Sequence, residues 1–181
     1  MIIILIGSPF SGKTTILKEL QKEKVRVFHA DSFVKKIYLK NGEGYKLIKK
    51  YFGKQFVTDK SVDRRKLGIL VTNNPQELKK LNEMIHPIIK NHLKDQDNYV
   101  AELPIISSSP IKFNYDKLIL IKADKNEIIK RAKESGNYYP FIEKMIEKWD
   151  NLAIKFDYVI DTTNGLKEKD IKYIKNLLKN K

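Results

Sequence analysis

The segment Gly7-Ser8-Pro9-Phe10-Ser11-Gly12-Lys13-Thr14 constrains this chain more than any other stretch. It follows the apolar run Ile2–Ile6 and leads into a helical pattern over residues 14–22, with Ile16, Leu17 and Leu20 on one face. The match to Gly-x-x-x-x-Gly-Lys-Thr/Ser is complete, and strand, loop and helix are the setting in which that pattern works as a P-loop. Glycines at 7 and 12 let the backbone curl so that successive N–H groups face inward as an anion nest. Lys13 suits the β- and γ-phosphates of a nucleotide, the Thr14 hydroxyl suits Mg²⁺, and the helix start adds a favourable dipole. The expected nucleotide contacts are therefore Gly7, Ser8, Pro9, Phe10, Ser11, Gly12, Lys13, Thr14 and Thr15, with ATP and Mg²⁺ as ligands and Thr14 on the metal. A chance glycine loop with a surface lysine is the bland alternative, and average residue usage makes the full pattern rare by accident.

Further apolar runs at 25–28, 99–103, 117–121 and 158–160 are continuous rather than alternating, as in strands covered on both faces. Helical patterns lie between and after them, at 126–134 and 167–178. The order predicts an α/β fold: a P-loop, doubly wound parallel sheet of about five strands. The stretch from Phe28 to Tyr99 is far longer than one crossover helix needs. It holds helical patterns at 44–51, 75–83 and 87–94, and reads as a helical substrate-binding insertion over residues 40–96. A second excursion, 134–156, carries Gly136, Tyr138, Tyr139 and Trp149. We expect one P-loop domain over 1–181, with a short lid at 131–156.

Composition trims the function classes. Hydrophobic residues make up 41%, which is globular. No apolar run reaches membrane-spanning length, and the apolar start lacks the basic flank of a signal peptide. The absence of cysteine excludes disulfides and thiolate metal sites and suits a reducing cytoplasm. The net charge of +14 raises nucleic acid as a partner, but the lysines are spread along helical faces without an arginine-rich or aromatic-basic motif. Small-molecule substrates are expected, with no membrane or nucleic-acid partner, in a monomer or weak oligomer.

Asp31 closes the run Phe28-His29-Ala30-Asp31 at the second strand's carboxyl end, where ligands gather in such sheets. It suits accepting a proton from an attacking hydroxyl, and it equally suits capping a helix over 32–39. His29 reads as a packed or solvated strand-end residue. A guanine-reading Asn-Lys-x-Asp segment is not found, so a kinase for a small acceptor fits better than a GTPase.

Five short motifs follow the P-loop in order: His29-Ala30-Asp31, Tyr51-Phe52-Gly53, Asp63-Arg64-Arg65-Lys66-Leu67-Gly68, Leu81-Asn82-Glu83-Met84-Ile85-His86-Pro87 and Glu102-Leu103-Pro104-Ile105-Ile106. Together they resemble the dephospho-coenzyme A kinases, from Ile2 to about Arg131. The resemblance implies ATP-dependent phosphorylation of the ribose 3′-hydroxyl of dephospho-coenzyme A. It makes Lys13, Asp31 and Arg131 catalytic, with Asp31 the base or hydroxyl-orienting group and Arg131 the arginine that approaches the transferring phosphates. It places Asp31, Arg64, His86 and Pro87 around the acceptor. Glu102 reads as a strand-end acid, or as a group reaching the metal through water. Arg64 alternatively makes a surface salt bridge, and His86 is alternatively a satisfied helix-end histidine.

The chain departs from the family where His29 replaces the first Asp of Asp-Ala-Asp and Ser135 a second arginine. Trp149 and Asp150 stand near the expected Gln and arginines of the lid helix, and Val159-Ile160-Asp161-Thr162 replaces Val-Ile-x-Asn. Lys130, Lys133 or Lys155 then supplies lid charge. Two other functions fit the same features: a nucleoside or nucleotide kinase, and a nucleic-acid-binding protein with a vestigial ATP site.

Overall fold

A computed structural model of the chain describes residues 1–94, 96–103, 114–136, 141–150 and 154–179. The described residues form two compact units. The first holds Met1–His29, 97–103 and the described residues from Asn114 onward; the second is Ala30–Gln96.

The first unit is a parallel sheet of five strands, β1 (Ile2–Ile6), β2 (Val27–His29), β3 (Tyr99–Glu102), β4 (Lys117–Lys122) and β5 (Tyr158–Asp161), in the order β2-β3-β1-β4-β5. Strand β1 is central, and its register sets Ile4 opposite both Ala101 and Leu118. Helices α1 (Lys13–Lys22) and α8 (Glu168–Lys179) cover the sheet, so Ile3, Leu5, Ile16, Leu17, Leu20, Ile119, Ile174 and Leu178 form one buried cluster. Full burial of each such side chain contributes about 1.5–3 kcal/mol relative to leaving it in water. That explains why continuous apolar runs, and not alternating ones, mark these strands.

Helices α6 (Lys125–Glu134) and α7 (Phe141–Asp150) pack through Ile128, Ala132, Ile142 and Ile146, and a Lys125–Glu143 ion pair of 2.9 Å joins them. Trp149 is buried. Tyr138 and Tyr139, singled out in the sequence, lie outside the described residues.

Strand β2 starts two residues later than its apolar run predicts. Lys24, at φ 60°, turns the chain after α1, and the Val25 amide donates back to the Leu20 carbonyl at 3.0 Å. Val25 therefore packs on the core from a turn.

The second unit is helical: α2 (Ala30–Ile37), α3 (Glu43–Tyr51), a 3-10 turn (Lys54–Phe56), α4 (Arg64–Asn73) and α5 (Pro75–Leu93). Asp63 starts α4 by accepting from the Lys66 amide at 2.9 Å, and Asn74 starts α5 through the Gln76 amide at 3.0 Å with Pro75 at the first position. The helices predicted over 75–83 and 87–94 are one helix of 19 residues with Pro87 inside it. Proline removes one backbone donor and strains the preceding turn. The helix persists because Ile85, Ile88, Ile89 and Leu93 are buried along one face. A second correction concerns Asp31. Helix α2 begins at Ala30, so Asp31 lies in its first turn rather than capping a helix over 32–39.

Candidate active site

In the first unit, the loop between β1 and α1 is shaped by close approaches. Gly7 has φ 156°, and a Cβ there would lie 2.1 Å from the Ile121 carbonyl oxygen. Gly12, the left-handed N-cap of α1 at φ 99°, faces Thr162, whose hydroxyl a Cβ would meet at 3.3 Å. Because the obstacle at Gly7 is backbone, Gly7→Ala is expected to destabilise the protein by about 1–3 kcal/mol and to weaken ATP binding with it. Thermal melting and nucleotide titration check this; an unchanged melting temperature contradicts the packing.

The Lys13 ammonium folds over the loop and donates to the carbonyls of Gly7 (2.9 Å) and Ser8 (2.8 Å). The amides of Lys13, Thr14 and Thr15 open helix α1, where N–H groups lack intrahelical acceptors and favour an anion. Ser8 and Ser11 are buried, and the Ser11 hydroxyl is left without a partner among the described residues. Pro9 and Phe10 form the outer bend. Phe10 adopts φ 62°, unusual for a bulky residue, and its ring packs against the Ile128–Ile146 cluster.

Thr14 donates to Glu102 Oε2 at 3.2 Å, which leaves the lone pairs of the threonine hydroxyl available to a cation. Glu102 is only 8% exposed and stands opposite Leu5 at the end of β3. On its other side His29 Nδ1 lies 3.5 Å from Oε1. No group of three His, Cys, Asp or Glu side chains gathers as a metal site among the described residues. A hydroxyl with one carboxylate is a donor set that fits Mg²⁺, which keeps several waters and shares the phosphates of its nucleotide.

Arg131, on the last turn of α6, reaches the P-loop from behind. Its Nε donates to Glu127 (2.9 Å), one terminal nitrogen to the Phe10 carbonyl (3.2 Å) and the Thr162 hydroxyl (3.0 Å), and the other to the Thr162 carbonyl (2.6 Å). Thr162 in turn donates to the Ser11 carbonyl at 2.7 Å. Arginine, threonine and the bend of the P-loop are thus one hydrogen-bonded unit. The sequence marked Thr162 only as the end of Val159-Ile160-Asp161-Thr162, without a role.

The acceptor-side candidates all lie in the second unit. Asp31 is exposed in the first turn of α2. Arg64 opens α4, exposed, and its charge partly counters the burial that pushes the neighbouring Tyr38 phenol up to about 12. His86 is buried within α5, immediately before the half-buried Pro87, and burial lowers its pKa. It is a mid-helix residue, contrary to the helix-end alternative. Phe33 of α2 stacks on His92 of α5 with ring centroids 4.4 Å apart, so the helices carrying Asp31 and His86 pack together.

A five-stranded parallel sheet bearing this loop, its lysine and threonine, and an acid on the neighbouring strand end defines a P-loop kinase fold. The family model for dephospho-CoA kinase matches residues 1–148, and the chain belongs to that family. It is 30% identical to the dephospho-CoA kinase of Fusobacterium nucleatum, over 93% of this chain and 92% of that protein. It is 29% identical to the dephospho-CoA kinase of Mycoplasma genitalium, over 82% and 79%. Among solved structures, the dephospho-CoA kinase from Campylobacter jejuni shares the fold with a TM-score of 0.61 at 21% identity, covering 98% of this chain and 97% of that one.

Proposed function

We propose that this protein transfers the γ-phosphate of ATP to the ribose 3′-hydroxyl of dephospho-coenzyme A, the last step of coenzyme A synthesis. The observation that carries the reading is the meeting of Thr14 and Glu102 beside the Lys13-capped loop, in a chain of the dephospho-CoA kinase family. The loop amides and Lys13 hold the β- and γ-phosphates and favour the charge that spreads over the transferred group. Thr14 and Glu102 are the groups that would hold Mg²⁺, which when bound would neutralise charge on the phosphates. Asp31 accepts the proton of the attacking hydroxyl, or keeps that hydroxyl oriented. Arg64, His86 and Pro87 are the candidate contacts for the acceptor. Arg131 supports the donor side by fixing the Phe10 carbonyl and Thr162, and so the shape of the loop that grips the phosphates. No helix among the described residues is long and apolar enough to cross a membrane, and the lack of cysteine suits a reducing compartment, so we place the reaction in the cytoplasm.

Incubation with Mg-ATP and dephospho-coenzyme A is expected to yield ADP and coenzyme A in equal amounts. A panel of nucleosides and nucleotides run alongside decides the acceptor. Faster ADP release with any of them than with dephospho-coenzyme A overturns the assignment.

A further inference from the structure

His29 ends strand β2, and the sheet register gives it a partner. In the pairing of β2 with β3, His29 lies directly opposite Glu102, and in the pairing of β1 with β3, Leu5 lies opposite the same glutamate. Residues paired in register on adjacent parallel strands project to the same face of a sheet. Glu102 therefore sits between the strand that leads into the P-loop and the strand that ends in His29. Its two oxygens are divided accordingly. Oε2 accepts from the Thr14 hydroxyl at 3.2 Å, and Oε1 lies 3.5 Å from His29 Nδ1.

We propose that His29 is a positioning residue for the nucleotide's divalent cation: it engages one oxygen of Glu102 and thereby keeps the other aimed at Thr14. A glutamate has three side-chain torsions, and contact with Thr14 fixes only one of its two carboxylate oxygens, leaving the other some freedom. A second contact on the opposite oxygen removes that freedom, which is how groups behind a metal ligand set its orientation. An imidazole suits this place because it sets no second carboxylate beside Glu102. The inference rests on the reading that the P-loop binds a metal–nucleotide complex, and it is independent of the acceptor's identity.

The test is the affinity for ATP, by titration calorimetry, with Mg²⁺ and with EDTA, for the full chain and the variants His29→Ala, His29→Asn and Glu102→Gln. The ratio of the two affinities isolates the metal's share. For His29→Ala that ratio is expected to fall by about ten-fold, with the affinity in EDTA unchanged. His29→Asn, whose amide can donate to Oε1, is expected to recover most of the loss. Glu102→Gln should lower the ratio too, and adding His29→Ala to it should cost nothing further, because the histidine acts through the glutamate. A ratio that stays at the wild-type value in His29→Ala, an equal loss in EDTA, or additive losses in the double variant each overturn the inference. If the wild-type affinity itself ignores Mg²⁺, the metal–nucleotide reading falls and this inference with it. A metal-responsive wild type in which His29→Ala keeps the wild-type ratio sinks only the role of His29.

Discussion

Asp31→Asn is expected to lower kcat for transfer to dephospho-coenzyme A by about 100-fold or more, the usual contribution of a positioned proton acceptor. The substitution keeps the shape of the side chain and removes its capacity to take a proton. Structural damage is a poor alternative explanation for such a loss, because Asp31 is exposed and caps nothing. An acid in the first turn helps a helix only modestly through the dipole. Melting temperature and ATP affinity should therefore stay close to wild type while turnover collapses. Initial rates with saturating ATP and dephospho-coenzyme A check this. Turnover within a few-fold of wild type would leave Asp31 as no more than a helix-start acid.

Lys13→Ala is expected to produce the second large effect, a fall in kcat of about 100- to 1000-fold, the range seen when one preorganised donor to developing charge is removed. Weaker ATP binding should accompany it, since the ammonium also organises the loop. In the structure the ammonium donates to the carbonyls of Gly7 and Ser8, so the alanine variant loses loop closure as well as charge. The two effects separate by measurement: ATP affinity reports the loop and its phosphate contacts, and kcat at saturating ATP reports what the lysine does in the transition state. A variant with reduced affinity and intact kcat would assign Lys13 to ground-state binding alone.

Much of the sheet was readable in one dimension. Strand β1 appears with the predicted bounds and β3, β4 and β5 within a residue, and β1 and β3, which are buried along most of their length, show why such strands read as unbroken apolar runs. The errors fell where local and tertiary preferences compete. Pro87 reads as a helix break, and the burial of Ile85, Ile88, Ile89 and Leu93 carries the helix through it. Asp31 reads as the cap of a helix from residue 32, and the helix instead starts two residues earlier, at Ala30, directly from the strand. At the site, glycine spacing exposed the phosphate loop because left-handed backbone demands glycine at Gly12 and close approach demands it at Gly7. Thr162 gave no comparable signal. Its role consists of hydrogen bonds to Ser11 and Arg131, residues remote in sequence, and a lone threonine does not announce those.

From residue order alone came the phosphate loop, the parallel sheet around it, and the chemistry of Lys13, Thr14 and Asp31, because backbone torsion limits, burial period and side-chain function are local properties. Tertiary structure alone decided the company those residues keep. It set Glu102 against Thr14 and His29, and it tied Arg131 and Thr162 to the back of the loop. Strand register and helix packing make those pairings, and both depend on contacts between residues that the chain keeps far apart.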